Sequence, residues 1–385
     1  MIKRYLKHKI SSAHRNKYKT LNTVYIYRQR ILHNVNVYKN LNPKAHIITV
    51  LKSNAYGHGL RQVAEALNEA DIEFVAVDGY FEANRIIDIC RHRILVMGYV
   101  LPDNARLLNA SRCSFVVQDI NGLRALGKLK RHFNVHLELN TGMNRLGLEP
   151  DEIDGYLQEI SKYPNLRLEG IMTHLADADN PDDSYTTMQT KIFDSLVKHI
   201  QEKGYTPSII HIAQSAGSTK SLSSTANAVR IGIGLYGVNP LDSADPNYSK
   251  LESLLPVMEL KSTIIKVLEL SRGEKISYNG IFETKRKSRI GVLPLGYYEW
   301  VPRELSNSGV ITTSKARPLP IRGRVCMNHT MVDLTGTDIK EGDQVIVVSA
   351  DKALPNSIDS ISKNHELFRY SLLTRMAESV RRELI

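Results

Sequence analysis

The sequence predicts a (β/α)8 TIM-type barrel followed by a mainly antiparallel β domain. Three observations carry this. Eight short apolar, β-rich runs recur through the first 235 residues, and helix-like stretches fall between most of them. Past a Pro/Asp/Ser-rich linker, NPLDSADPNYSK, the segments turn strand-like with no strong helical period. Near-continuous apolar strands alternating with helices imply parallel strands covered by helices. Eight such units in about 200 residues make a closed barrel the natural solution.

The strand runs, in order, are HIITVLK (46–52), FVAVD (74–78), ILVMG (94–98), FVVQD (115–119), VHLELN (135–140), LEGIMTH (168–174), IIHIAQ (209–214) and VRIGI (229–233). The helix candidates among them are RQVAEALNEA, NGLRALGKLKRHF, EIDGYLQEISKY and TTMQTKIFDSLVKHIQEKG. After the linker come MELKSTIIKVLEL, KISYNGIF, SRIGVLPLG, GVITT, PIRGRV, TMVDL and DQVIVVS, which read as an antiparallel β domain. The final stretch looks helical at least in part. The expected organisation is a basic extension (1–19), a barrel (20–245) and a β-rich domain with a partly helical tail (246–385).

The chain has 385 residues, 42% hydrophobic and 24% charged, enough for a large core and more than one domain. No apolar run approaches the roughly 18 to 20 residues that cross a bilayer. The first residues, MIKRYLKHKISSAHRNKYK, are basic but lack the apolar centre of a secretory signal. Cys90, Cys113 and Cys326 are scattered without metal or disulfide spacing, which fits a reducing cytoplasm. The formal charge is +11, yet the cations are spread apart from residues 3–19 and KRKSR at 285–289. No nucleic-acid signature accompanies them, so neither a nucleic-acid partner nor a membrane is expected.

A barrel builds its active site at the C-terminal ends of its strands. Lys52 stands at one such end, behind apolar ITVL, where partial desolvation makes an amine a better nucleophile. VRIGIGLYG contains GxGxxG at Gly232, Gly234 and Gly237, but Val-Asn-Pro follows instead of a helix, so a dinucleotide site is rejected. What remains is a glycine-rich turn after the eighth strand, where barrels often cradle a phosphate. Ser215 follows the seventh strand and Arg230 lies on the eighth. A lysine, a phosphate cradle and an arginine around one mouth point to a phosphorylated aldehyde cofactor, pyridoxal 5'-phosphate.

At this point the sequence resembles the alanine racemase family. The resemblance runs over roughly residues 20–350 through LKSNAYGHG, NTGMNRLG, MTHLADAD, HIAQSA, VRIGIGLYG, ISYNGIF, LPLGYYEW and GRVCMNHTMVD. It implies that Lys52 carries the cofactor and acts as one acid/base. Tyr278 would be the second, contributed across a homodimer interface. Tyr56, Ser215 and the amides of Gly232 and Ile233 would hold the phosphate. Arg230 would face the pyridine nitrogen with His211 supporting it, and His174 would tie Tyr278 towards Arg230. Arg145 and the Met327 backbone would receive the substrate carboxylate and neighbouring groups, and Tyr297 would line the entrance. Two acid/bases on opposite faces of one carbon are what racemisation needs. The implied activity interconverts L- and D-alanine and supplies D-alanine for peptidoglycan. A racemase of shifted specificity (serine or lysine) and a non-catalytic cofactor-binding relative stay open beside it.

The sequence departs from the family in four places. Where many relatives have GYADG it has Gly296-Tyr297-Tyr298-Glu299-Trp300, and Trp300 could narrow the entrance. Asn328 stands for an aspartate. A C-terminal tyrosine that closes the pocket has no clear match, Glu378 or Thr374 falling at its place, and its loss would enlarge the pocket. Finally, Glu138 occupies the position of a lysine that becomes a carbamate in many relatives. It would supply an anion for Arg145 directly, with contact needing a water or a shift of the arginine.

Overall fold

The computed structural model describes residues 18–220 and 223–385. Most of the basic extension lies outside them. The described chain forms two compact units that interleave along the sequence. The barrel unit comprises Ile26–Met258 with Arg369–Thr374 and Leu384–Ile385. The β unit comprises Glu259–Phe368, Arg375–Glu383 and the described residues before Ile26.

Eight strands close the barrel: β2 (His46–Val50), β3 (Phe74–Val77), β4 (Arg93–Val96), β5 (Cys113–Val117), β6 (Phe133–Glu138), β7 (Leu166–Met172), β8 (Ile209–His211) and β9 (Ala228–Ile231). All pair in parallel, and β9 closes on β2 with Ile48 opposite Arg230. These are the eight runs read from the sequence. Their short, doubly buried composition forces the result: β3 and β5 bury every residue, so both faces need cover. Ile48, Val50, Phe74, Ala76, Leu95, Val116, Met172, Ile209 and Ala228 fill the barrel interior as one cluster. Polar residues that share this inward face are therefore placed inside a dry barrel. They include His136, His211 and Arg230, all at most 2% exposed.

Helices pack outside, among them Arg28–Leu41, Ile120–Gly127 and Ser184–Glu202. Asp119 caps the second, its carboxylate accepting from the Gly122 amide at 2.8 Å. No described helix is long and apolar enough to cross a membrane.

The β unit holds a six-stranded sheet ordered β16 (Pro318–Pro320), β15 (Val310–Thr312), β18 (Gln344–Val348), β10 (Met258–Thr263), β1 (Asn22–Ile26) and β19 (Arg381–Leu384). A three-stranded antiparallel sheet joins β11 (Lys266–Leu270), β14 (Ser288–Leu293) and β17 (Thr330–Asp333). A two-stranded hairpin pairs β12 (Lys275–Ile276) with β13 (Phe282–Glu283). Residues 22–26, grouped with the barrel in the sequence reading, form a strand of the six-stranded sheet. The tail mixes types: helices Ile358–His365 and Arg369–Thr374 precede a closing strand. The run KISYNGIF is no single strand, because Tyr278 lies in the turn between β12 and β13.

Trp300 corrects an expectation. It is 1% exposed, one of the largest fully buried side chains, and so belongs to the core of the β unit instead of narrowing an entrance. Indole is mostly apolar surface, and burial is where that surface is worth most.

Candidate active site

The mouth of the barrel opens on a cavity of about 560 Å³ at the C-terminal strand ends. Its lining comes from the barrel unit and includes Lys52, Tyr56, Glu138, Arg145, His174, Ser215, Arg230, Gly232 and Ile233. Nine residues from the ends of five barrel strands, and the loops just after them, thus converge. His211 sits just beneath, fully buried.

Lys52 comes two residues after the end of β2, and the chain after it turns the wrong way. Ser53, Asn54, Ala55 and Tyr56 all have φ between 50 and 57°, a full turn of left-handed helix built from non-glycine residues. Such a conformation costs about 1–2 kcal/mol per residue. Local bonds hold it: the Asn54 amide donates to Glu82 at 3.0 Å, and the Asn54 side chain accepts from the Leu60 amide at 2.8 Å. Gly57 continues at φ 82°. The turn swings Tyr56 back over the cavity, where its ring packs 5.0 Å from Tyr236. Burial raises the Tyr56 phenol well above its ordinary range, so it stays a neutral donor.

A glycine-lined cradle forms where β9 ends. Gly232 and Gly234 donate their amides to the Ser215 hydroxyl oxygen at 2.9 and 3.3 Å. With both acceptor positions used, the Ser215 hydroxyl still has its own proton to donate. A Cβ on Gly232 would lie 2.8 Å from the Tyr56 hydroxyl, so only glycine leaves room beside that group. A short turn, Ile233–Tyr236, follows in place of an α-helix, and Gly237 ends it at φ 85°. The dinucleotide reading rejected from the sequence has no helix to rest on.

Arg230 is held on every side. Its Nη1 donates to the His211 carbonyl at 2.9 Å and to His211 Nδ1 at 3.0 Å. Its Nη2 donates to the carbonyls of Thr173 and Ile212 at 2.8 and 3.0 Å, and reaches His174 Nδ1 at 3.3 Å. Burial lowers the guanidinium to about 10, which leaves it charged at neutral pH. Burial, then the charges of Arg230, Arg145 and Lys52, bring His174 down to about 3, so its imidazole is neutral.

Arg145 is exposed on the loop that follows β6. Asn140 organises that loop: its side chain accepts from the amides of Gly142 and Asn144 at 3.2 and 3.1 Å and donates to Glu149 at 2.7 Å. Glu138 is 6% exposed and accepts from Gln118 Nε2 at 3.2 Å. Among the described residues no ion pair joins Glu138 to Arg145.

Tyr278, Tyr297 and Met327 belong to the β unit and are 66, 45 and 54% exposed. Tyr278 sits on a strained turn. Ser277 before it has φ 65° and ψ −171°, a region nearly restricted to glycine, and Asn279 after it has φ 62°. The Ser277 hydroxyl, donating to the Arg324 carbonyl at 2.6 Å, helps hold that shape.

Sequence reasoning missed Tyr370. It and Thr374 line the cavity from the helix Arg369–Thr374, with the Tyr370 ring 6.3 Å from that of Tyr56. The expectation of a lost tyrosine and an enlarged pocket is therefore corrected. The available signal was simple: Tyr370 is the only tyrosine after Tyr298.

The chain is similar to known proteins over most of its length. Residues 26–240 match the family described as alanine racemase, N-terminal domain, and 257–384 its C-terminal domain. A relative from Methanococcus maripaludis named alanine racemase is 33% identical over 89% of this chain and 92% of its own. One from Francisella tularensis subsp. novicida, of the same name, is 30% identical over 95% of this chain and its full length. The solved alanine racemase of Clostridium difficile 630 is 27% identical with a TM-score of 0.87, covering 96% of this chain and 97% of its own. That of Bacillus anthracis, solved with bound L-Ala-P, is 27% identical with a TM-score of 0.86 and covers 96% of each chain.

Proposed function

We propose that this chain, which belongs to the alanine racemase family, binds pyridoxal phosphate at its barrel mouth and interconverts L- and D-alanine. The observation that supports this most is the convergence of Lys52, Arg230 and the Ser215–Gly232 cradle on one cavity. The residues fit the group. A hydroxyl donor, a glycine with no room for a Cβ and a neutral phenol suit a phosphate, and Lys52 suits an aldehyde.

When bound, the cofactor supplies an electron sink that acidifies the α-proton of an attached amino acid. Lys52 Nζ moves that proton on one face. Tyr278 of a second copy moves it on the other, and its exposed turn is consistent with facing a partner. Two groups on opposite faces give inversion; one alone gives only exchange. Tyr56, Ser215 and the backbone of Gly232 and Ile233 would hold the phosphate, the Gly232 amide sharing or leaving its bond to Ser215. Arg230 would face the ring nitrogen and, being charged, would leave that nitrogen without a proton. His174, neutral and accepting from Arg230 through Nδ1, presents Nε2 to Tyr278. Arg145 and the Met327 backbone receive the carboxylate, and Tyr297 lines the approach. Tyr370 and Thr374 narrow the cavity, which favours a small side chain such as that of alanine.

The experiment follows racemisation of L-alanine by circular dichroism, with L-serine and L-lysine alongside. Alanine should turn over fastest. Borohydride should fix the chromophore covalently on Lys52 in a peptide map. An adduct on another lysine, or faster turnover of lysine than alanine, overturns the reading.

A further inference from the structure

Below Arg230 a line of buried polar groups runs down the barrel interior. His211 Nε2 lies 2.9 Å from His136 Nδ1, and His136 Nε2 lies 3.3 Å from the Glu169 carboxylate. The same carboxylate accepts two bonds from Arg93, at 2.6 and 2.9 Å, and one from Ser114 at 2.6 Å. His136, His211, Ser114 and Glu169 are at most 2% exposed.

The fold goes out of its way to form this line. In β7 the pairing with β6 skips from Leu168 to Gly170, so Glu169 is the extra residue of a β-bulge. Bulges re-aim side chains, and this one carries Glu169 to the line. The next residue must be glycine, because a Cβ on Gly170 would fall 2.2 Å from His136 Nδ1.

Hydrogen-bond chemistry fixes the direction of every link. A guanidinium can only donate, so His211 Nδ1, accepting from Arg230, carries no proton. The His211 proton is then on Nε2 and is donated to His136 Nδ1. That leaves the His136 proton on Nε2, donated to Glu169. Both imidazoles are neutral, and burial lowers both below the usual histidine range. Burial pushes the Glu169 carboxyl up, but its bonds from His136, Arg93 and Ser114 outweigh this and hold it at about 2.

We propose that Glu169, through His136 and His211, is a positioning residue for Arg230: its carboxylate fixes one tautomer in each histidine, so that the guanidinium always meets an acceptor. A reversed tautomer at His211 would set N–H against the Arg230 N–H, and one at His136 would set N–H against the His211 N–H, so either would cost Arg230 its imidazole acceptor and leave the carbonyls alone to orient it. The proposal deepens the reading of Arg230 as the group facing the cofactor's ring nitrogen, and rests on it.

The test is nitrogen NMR of the full chain as purified, labelled at histidine, at pH 7. His136 and His211 should both be neutral with the proton on Nε2. An Nδ1–H tautomer or an imidazolium at either overturns the proposal. This measurement needs no turnover, so it stands even if the racemase reading fails. The second arm is Glu169→Gln, whose amide puts a donor among groups that all donate. We expect kcat to fall about 10–100-fold, the size of effect seen when the partner orienting a metal-bound histidine is lost. The alanine KM should hardly move, and the absorption of the bound cofactor should change. A folded Glu169→Gln protein with unchanged kcat and spectrum overturns the proposal. If that variant does not fold, the tautomers decide.

Discussion

Glu138 shows how far a single residue can be read from sequence. Its strand position was legible, since alternation along β6 puts residues 136 and 138 on one face, and both point inward. Its partner was not legible. The carboxylate accepts from Gln118, and its charge supports Arg230, which it pushes up against burial. A side chain as short as glutamate, fixed at the strand end, takes the nearest donor. We therefore expect wild-type activity to ignore added bicarbonate, because the anion is built into the chain. Glu138→Gln removes the charge but keeps the shape. It should lower kcat/KM by a few fold, since it removes the negative charge that supports Arg230 at the cavity wall. Steady-state kinetics with and without bicarbonate check both points. Wild-type stimulation by bicarbonate, or unchanged constants in the variant, would remove Glu138 from the site. Tyr370 and Trp300 mark the same limit from the other side. Apolar periodicity places a segment, but the direction of one aromatic ring depends on packing that comes from elsewhere in the chain.

At the scale of elements, the barrel strands were readable because doubly buried strands leave an unbroken apolar record. The β unit was less so. MELKSTIIKVLEL is two strands, β10 and β11, and the segment around Tyr278 is a strained turn. Short runs do not record where a strand yields to a turn, particularly where residues other than glycine hold positive φ. The loops GYYEW and CMNHT illustrate a coupled departure. The Glu299 carboxylate accepts from the Gly296 amide at 2.8 Å and from Asn328 Nδ2 at 2.7 Å. The unusual glutamate thus explains the unusual asparagine: an aspartate at 328 would set two carboxylates in contact. Asn328→Asp should destabilise the β unit by up to about 1 kcal/mol, because at this exposed site a hydrogen bond is exchanged for a solvent-screened repulsion. Adding Glu299→Gln should recover most of the loss. Urea unfolding of the single and double variants measures this as a cycle. Equal stability of Asn328→Asp and wild type would break the coupling.

For the molecule as a whole, the buried line under the barrel mouth sets an acid limit on stability. Unfolded, His136 and His211 take up protons near pH 6.5; folded, burial keeps them neutral to lower pH. Between those values only the unfolded chain binds the protons, so stability falls as pH falls, by about 1.4 kcal/mol per unit for each group. Glu169, at about 2 in the folded chain against 4.5 unfolded, adds to the loss below pH 4.5. The melting midpoint should therefore drop from pH 7 to pH 5; one that holds or rises contradicts neutral imidazoles. The proposed chemistry sets a second demand on the whole molecule. Lys52 lines the cavity of the barrel unit, and Tyr278 stands 66% exposed on a turn of the β unit. If Tyr278 works in the site of a second copy, activity is a property of the dimer. In a closed two-fold pair each site takes one group from each chain. Lys52→Ala and Tyr278→Phe are each expected to be inactive, the latter by about 10²–10⁴-fold as the worth of a positioned acid/base. In a hybrid dimer of the two, one site has lost both groups and the other has regained both. Random pairing makes half the dimers hybrid, so roughly a quarter of all sites should recover. Co-expression, with hybrid dimers counted by mass spectrometry, gives the measured fraction. Activity near a quarter of wild type assigns Tyr278 to the partner's site, and none among verified hybrids means that each site is completed within one chain.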